Sequence, residues 1–484
     1  MNSLVLDNWR LSVRRAVDFL PLVAGLAVFG AMKYATAGIL ASRQVTGVMW
    51  FAIALTAAAL LMSPLRAADL APSVRLTVRG IAALFSVFIV FAPVSIPAAD
   101  LAAAGLPAWL FHGGRWLALP VLVLAWMRPS FTLVLLAHVW VAKASYQFIV
   151  GLPVTQTDWM IVWEAGAFLV LCAWLAWIWR GVRGRDDIDR VRWQEWALLM
   201  VVAVHFANYF YSGLWKVLLE PSPWTWLLEN PTDALVLNAW QTGFLPLAVS
   251  GSLAAGTYTV AHGMPVLLNA ATLAGQLLAP FALARIAWQR WLTFFFDVQH
   301  VAIFALTGIF FWKWIVLNLL LFLALGRLSV VPGRAGTLYL AALMLCAPLV
   351  FHIVFLAWYD SRVVNDVRLI AVTSGGRDVQ LSTNAALFGS VTFTQSRAGG
   401  PLGGAAVTDA LGATWSAEKM RAFKHCETPG FAESGLWRLP GNGPDVPALR
   451  RVLGATFGFI SEQPYLAQDV SRVHQYAHHI FSNP

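Results

Sequence analysis

The sequence predicts an all-α polytopic membrane bundle of about ten transmembrane helices, followed by a small C-terminal α+β soluble domain. Three observations predict it. Hydrophobic residues make up 59% of the 484 and charged residues only 12%, about half the charge a water-facing chain needs. Apolar runs of spanning length recur from residue 17 to residue 358. Of 24 tryptophans, 22 precede Asp366, many of them flanking apolar runs, where an amphipathic ring suits the headgroup layer. The chain therefore divides into a membrane part, 1–365, and an extramembrane part, 366–484.

Taken in order, the apolar runs lie at 17–40, 45–62, 80–96, 116–127, 130–152, 158–179, 196–217, 264–283, 294–325 and 336–358. The fourth is short, and Arg128-Pro129 separates it from the fifth. Loop arginines orient them. Arg10, Arg14 and Arg15 place the N-terminus in the cytoplasm, and Arg66, Arg75, Arg79 and Arg128 follow on that side. Arg180, Arg183, Arg185, Arg190 and Arg192 are cytoplasmic too, which leaves the acidic 218–263 loop outside. Arg285 and Arg290 return inside. The ninth run has 32 residues, long for one span and short for two. A single helix there would put Arg327 and Arg334 outside; a bent or hairpin passage keeps them inside and sends the tail outside. The charge rule favours the hairpin.

The tail carries 10 Lys plus Arg against 9 Asp plus Glu, a net of +1, so +8 of the overall +9 belongs to the membrane part. That excess fits positive-inside loops, not a nucleic-acid partner. Strands at 367–372 and 379–381 flank a turn at Ser374–Asp378, and 391–393 is a third strand. The stretch 399–404 is a Gly-rich loop, and 415–425, 446–459 and 464–481 read as helices. His474 and His478 share a helix face beside His479, but no carboxylate accompanies them, so they are read as surface histidines and no metal is expected. The three cysteines are dispersed, without disulfide or zinc spacing. No short apolar core with a cleavage site marks a removed leader.

Lysine usage points to chemistry. Only six lysines stand against 27 arginines, and four of them (Lys33, Lys143, Lys216 and Lys313) lie inside apolar runs. A desolvated lysine releases its proton more readily than arginine does, which makes a neutral amine base available. Such groups are costly in a membrane and tend to mark function, snorkelling to the headgroups being the alternative. In the seventh run, His205, Tyr209, Ser212 and Lys216 are separated by four, three and four residues and form one stripe roughly 16 Å long, with Asn208 beside it. The stripe must face other helices or a cavity. Interhelical hydrogen bonding that only holds the bundle together is the competing reading, and Gly213 admits a close neighbour or ligand. Asp297 and His300, three apart on the ninth run, and the carboxylates Asp158 and Glu164 are further candidates for the same cavity. His138 and His352 read as isolated packing histidines.

The run Asn208-Tyr209-Phe210-Tyr211-Ser212-Gly213-Leu214-Trp215-Lys216, followed by Trp224, resembles the core of the HTTM (horizontally transferred transmembrane) family, related to vitamin K-dependent gamma-carboxylase. The stretch from Asp297-Val298-Gln299-His300 through Gly308-Ile309-Phe310-Phe311-Trp312-Lys313-Trp314 is similar to a second motif of that family. Together they cover about 196–325. The resemblance implies a lyase-like membrane enzyme that uses a reduced, vitamin K-like quinone, with Lys216 as the base that deprotonates it. On this reading His205, Tyr209, Ser212, Asp297 and His300 line the quinone site. The 218–263 loop and the tail show no counterpart for recognition of a propeptide or glutamate. The alternatives are a non-catalytic maturation or immunity factor that binds a protein or peptide client on the external face, and a transporter. The expected location is a bacterial inner membrane, with lipids as surroundings and no nucleic acid.

Overall fold

Apolar runs become helices because a backbone out of water must satisfy its own N–H and C=O groups. A computed structural model describes residues 20–360 except 43, 92–97, 151–157, 184–186, 242–244 and 248–249. In the tail it describes 369–372, 375–376, 378–381, 413–414 and 416–422. The N-terminal arginines, Arg185, the strand expected at 391–393, the 399–404 loop, the helices expected at 446–459 and 464–481 and His474, His478 and His479 lie outside these residues.

The first half comprises α1 (Leu20–Ser42), α2 (Val45–Leu61), α3 (Pro72–Phe91), α4 (Ala98–Ala103), α5 (Ala108–Gly113), α6 (Ala118–Met127) and α7 (Thr132–Val150). Then come α8 (Asp158–Arg183) and α9 (Asp187–Val217), which form the buried centre of the bundle. Five stretches are long and apolar enough to cross a membrane: Leu20–Ser42, Pro72–Val90, Ala108–Met127, Trp159–Val182 and Arg190–Val217. Val45–Leu61, Trp312–Leu325 and Arg334–Val350 are shorter apolar helices. The chain thus has the helical, membrane-compatible architecture expected, in coarser form than ten uniform spans.

After α9 the pattern changes. Short helices α10 (Thr225–Glu229), α11 (Asp233–Gln241) and α12 (Gly251–Gly263) occupy the expected loop. The run expected to span at 264–283 is broken into α13 (Pro265–Leu277) and α14 (Ala279–Ala282), with a proline in the first turn of each. Thirteen residues of helix extend only about 20 Å. Close packing replaces length. A Cβ at Gly213 would meet the Gln276 side chain at 2.8 Å, so the glycine lets α13 lie directly on α9.

The long ninth run resolves into a hairpin, α15 (Ile286–Thr307) and α16 (Trp312–Leu325). Gly308 ends α15 with φ of 73°, a left-handed conformation that favours glycine, and its N–H bonds Phe304 O at 2.8 Å. The arms then run antiparallel. Arg290 Nε donates to Phe322 O at 3.2 Å, the Phe294 and Phe322 rings lie 6.1 Å apart, and His300 faces Phe311 at 5.2 Å. The turn packs through Ile309 on Val236, Ala239, Ala254 and Ala261 of α11 and α12. α17 (Arg334–Val350) then runs parallel to α9, with Gly336 against Trp196 and Leu345 O accepting from Tyr211.

Arginine-rich segments meet at one end of the bundle. Arg128 donates to Ser63 O and Pro64 O, Arg79 to Trp126 O, and Arg190 pairs with Asp69 at 3.0 Å. There Glu195 accepts from the N–H groups of Ser329 and Val330 and from the Ser329 hydroxyl. The opposite end carries α10–α12 and the start of the tail. Strand β1 (Tyr359–Asp360) pairs antiparallel with β4 (Ala413–Thr414), and α18 (Ala417–Ala422) packs Met420 near Trp226 and Tyr359. The expected hairpin is present as β2 (Leu369–Val372) and β3 (Asp378–Leu381), joined antiparallel with Leu369 opposite Leu381.

Candidate functional site

The polar stripe of α9 is buried, and the structure divides it. Its outer half holds backbone. Beyond α17 the chain runs extended past α9, and its peptide groups have no helical partners. Side chains supply them. Glu164 accepts from His352 N, Asn208 Oδ1 from Val354 N at 2.9 Å, and Ser212 Oγ from Leu356 N at 3.1 Å. Lys216 Nζ donates to Leu356 O at 2.6 Å and, at 3.3 Å, to Ser212 O and Gln276 Oε1. Further along, Trp226 Nε1 donates to Trp358 O, and Asn230 brackets Asp360 through its N–H and carboxylate. Alternate residues of 352–360 are thus clamped by side chains. Lys216 also lies 5.4 Å from the Trp226 ring.

The inner half faces the α15–α16 hairpin. His205 Nε2 lies 2.6 Å from Asn318 Oδ1, and Asn318 Nδ2 donates to Tyr209 OH at 3.1 Å. Asp297 lies near the same amide. With its oxygen turned to the imidazole, Asn318 requires His205 to carry its proton on Nε2, which leaves Nδ1 as an acceptor. Aromatic rings enclose the group: Tyr209 stacks on Phe296 at 3.5 Å, and Trp314 stands 5.6 Å from His205 and 5.7 Å from His300. His300 is 5.8 Å from Tyr209, ring to ring. His205 Nδ1, His300 Nδ1 and Asp297 Oδ1 are buried without a protein partner. Asp297 itself is half-buried, and its neighbours Phe294, Val298 and Val301 are exposed on the outer face of the bundle.

The structure places His205, Tyr209, Asp297 and His300 near one another, whereas the hydrogen bonds of Ser212 and Lys216 go largely to the backbone of the segment after α17. Asn318 was not anticipated, although it is the one amide in the apolar run of α16 and could have been noticed for that reason. His352 is not isolated: its Nδ1 lies 2.6 Å from Glu164. Lys33 completes that cluster, donating to Pro348 O and Phe351 O and interacting electrostatically with Glu164. The side chain of Asp158 lies outside the described residues.

His138 lines a separate apolar cavity of about 510 Å³, with His112, Arg115 and Phe88 among its walls. Lys143 and Lys313 sit 4.7 and 5.1 Å from the Phe88 ring. α16 stands between this cavity and the His205 group, through Lys313 on one side and Asn318 on the other. Among the described residues no group of three or more His, Cys, Asp and Glu is arranged to hold a metal ion. No family model, curated protein or solved structure matches the chain.

Proposed function

We propose that this protein is a multi-pass membrane enzyme acting with a lipid-soluble quinol, and that His205, Tyr209, Asp297, His300 and Asn318 form its chemical centre. One observation carries this reading: three polar atoms, His205 Nδ1, His300 Nδ1 and Asp297 Oδ1, are buried without protein partners in an aromatic enclosure. Ionisable groups within a membrane are costly and mark functional sites, and a few placed polar groups among apolar walls are what a small-ligand site offers. A quinol, when bound, supplies hydroxyl protons and a reducing ring. Unpartnered His300 Nδ1 and Asp297 Oδ1 match those hydroxyls, and half-buried Asp297 gives access from the lipid side. Asp297 and His300 would hold the ligand's hydroxyls. Asn318 fixes the His205 tautomer, and Tyr209, bonded to the same amide, is held in place by Phe296.

Lys216 has a different role in this reading. Its amine is engaged by three acceptors, so it positions the segment leaving the bundle. The arginine-rich end is cytoplasmic and the tail external, in a bacterial inner membrane. The test is lipid extraction from purified protein. Quinone should accompany the wild type and Lys216→Arg, and fall several-fold in Asp297→Asn and His205→Phe. Absence of quinone from the wild type, with no binding of added menaquinol, would remove the reading.

The clamped 352–360 segment favours a second reading, in which the bundle anchors an external tail that binds a protein client. The bidentate Arg421–Glu229 pair, at 2.7 Å, belongs to that docking. Retention of a client by Asp297→Asn, with no quinone at any stage, would favour it.

A further inference from the structure

Two buried polar clusters stand on either side of a small cavity. On one side Glu164 joins His352 and Lys33. On the other His205 joins Asn318, Tyr209 and Asp297. The cavity between them has a volume of about 10 Å³ and is lined by Glu164 and His205, with Ala165, Val201, Leu317 and Phe351 among its apolar walls. That is the space of one water molecule.

The chemistry of its walls is specific. Glu164 already accepts from His352 N and Nδ1 and has lone pairs left. His205 is 1% exposed, and its Nδ1, an acceptor by the Asn318 argument, has no protein partner. Two acceptor-bearing residues line one cavity, and a species with two donors suits them, which water has. The remaining walls are aliphatic or aromatic, so nothing else competes for its protons.

We infer that one water fills this cavity, donates to Glu164 and to His205 Nδ1, and serves as a proton bridge from the outer cluster to the His205 centre. When the pair takes up an extra proton on Glu164, that carboxyl becomes the donor to the water's oxygen, and as the water takes this proton it releases one of its own to His205 Nδ1. The water is unchanged, and one positive charge has moved from the pair to the imidazole. His205 then donates from both nitrogens, with Nε2–H still on Asn318 Oδ1. The outer supply is reached through His352, whose side chain is 20% exposed. Chains of carboxylate and histidine are how membrane proteins carry protons through apolar surroundings. This inference rests on the proposed centre for its purpose, though not for its geometry.

The test uses the full-length protein in lipid nanodiscs, without quinol. A high-resolution structure should show one water within hydrogen-bond distance of both Glu164 and His205 Nδ1. In ¹⁵N-histidine spectra, Glu164→Gln should shift the His205 Nδ1 resonance. Ala165→Leu, which fills the cavity without touching an ionisable group, should make His205 insensitive to position 164. A dry cavity, or a water bound to only one of the two residues, would overturn the bridge. So would a His205 resonance indifferent to Glu164→Gln. If Glu164→Gln fails to fold, the wild-type water still decides, as does a shift of the His205 Nδ1 resonance on displacing that water with Ala165→Leu alone. Loss of quinol binding would leave these outcomes unaffected, so the two ideas fail separately.

Discussion

Replacing Lys216 tests the assignment of its amine to the backbone of 352–358. In Lys216→Met the apolar stem is kept and the ammonium lost. The bond to Leu356 O, at 2.6 Å, is short and charge-assisted, whereas those to Ser212 O and Gln276 Oε1 are long at 3.3 Å. A hydrogen bond from a charged group contributes roughly 1.5–3 kcal/mol net, and an acceptor left bare in a buried place costs about 1–3 kcal/mol. Those two figures describe overlapping losses, so the expected destabilisation is about 2–4 kcal/mol. In a chain of this size that lowers the melting temperature by on the order of 5 °C. Differential scanning fluorimetry in detergent measures it. A cysteine substituted for Ala357, which is 8% exposed in the folded chain, measures release of the segment by maleimide labelling. Lys216→Arg keeps charge and donors and should recover most of the melting temperature. Wild-type melting in Lys216→Met, with the cysteine introduced at position 357 still protected, would refute the clamp. It would also return Lys216 to the role of a base, for which arginine cannot substitute near pH 7.

Three shorter predictions follow from other contacts. Glu195→Ala removes a carboxylate that accepts from Ser329 N, Val330 N and the Ser329 hydroxyl, and should cost about 2–4 kcal/mol in chemical denaturation, with Glu195→Gln intermediate. Gly213→Val places carbon where the Gln276 side chain lies and should destabilise by about 1–3 kcal/mol, by the same fluorimetry. In a cysteine-free background, a cysteine substituted for exposed Trp224 should react with an impermeant maleimide in intact cells, whereas one substituted for Arg334 should react only after permeabilisation. The reverse pattern would invert the orientation.

How much was legible depends on what carries the information. Runs of apolar side chains announce helices directly, so α1 and α8 were readable to within a few residues, and α9 at its C-terminal end, its polar first nine residues having been read as loop. A four-three-four spacing told correctly that 205–216 faces inward. It could not tell what the stripe meets, because its partners are largely peptide groups of 352–358, and backbone acceptors leave no trace in composition. That is why Lys216 looked like kin to His205 when the two serve different rows. The break in 294–325 had one local sign, Gly308. Arginine placement spoke for a hairpin, whereas hydropathy alone did not. The split at 264–283 was also written in Pro265 and Pro280, whose significance depended on Gly213 allowing a short helix to sit close. Asn318 was visible as a lone amide, but its use required knowing that α16 turns back onto α9.

The hairpin bears on which way the rest of the chain runs. α16, at 14 residues, is about 21 Å long and cannot cross a hydrocarbon core of roughly 30 Å unaided. α15 is longer but is not among the five stretches apolar enough to cross by themselves, so the two arms are held by each other and not by length. The direction in which the chain leaves the hairpin is set at Gly308 to Phe311: with the turn made, α17 starts beside Trp196 at the arginine-rich end, whereas a straight α15–α16 would carry the remaining third of the chain toward the opposite end of the bundle.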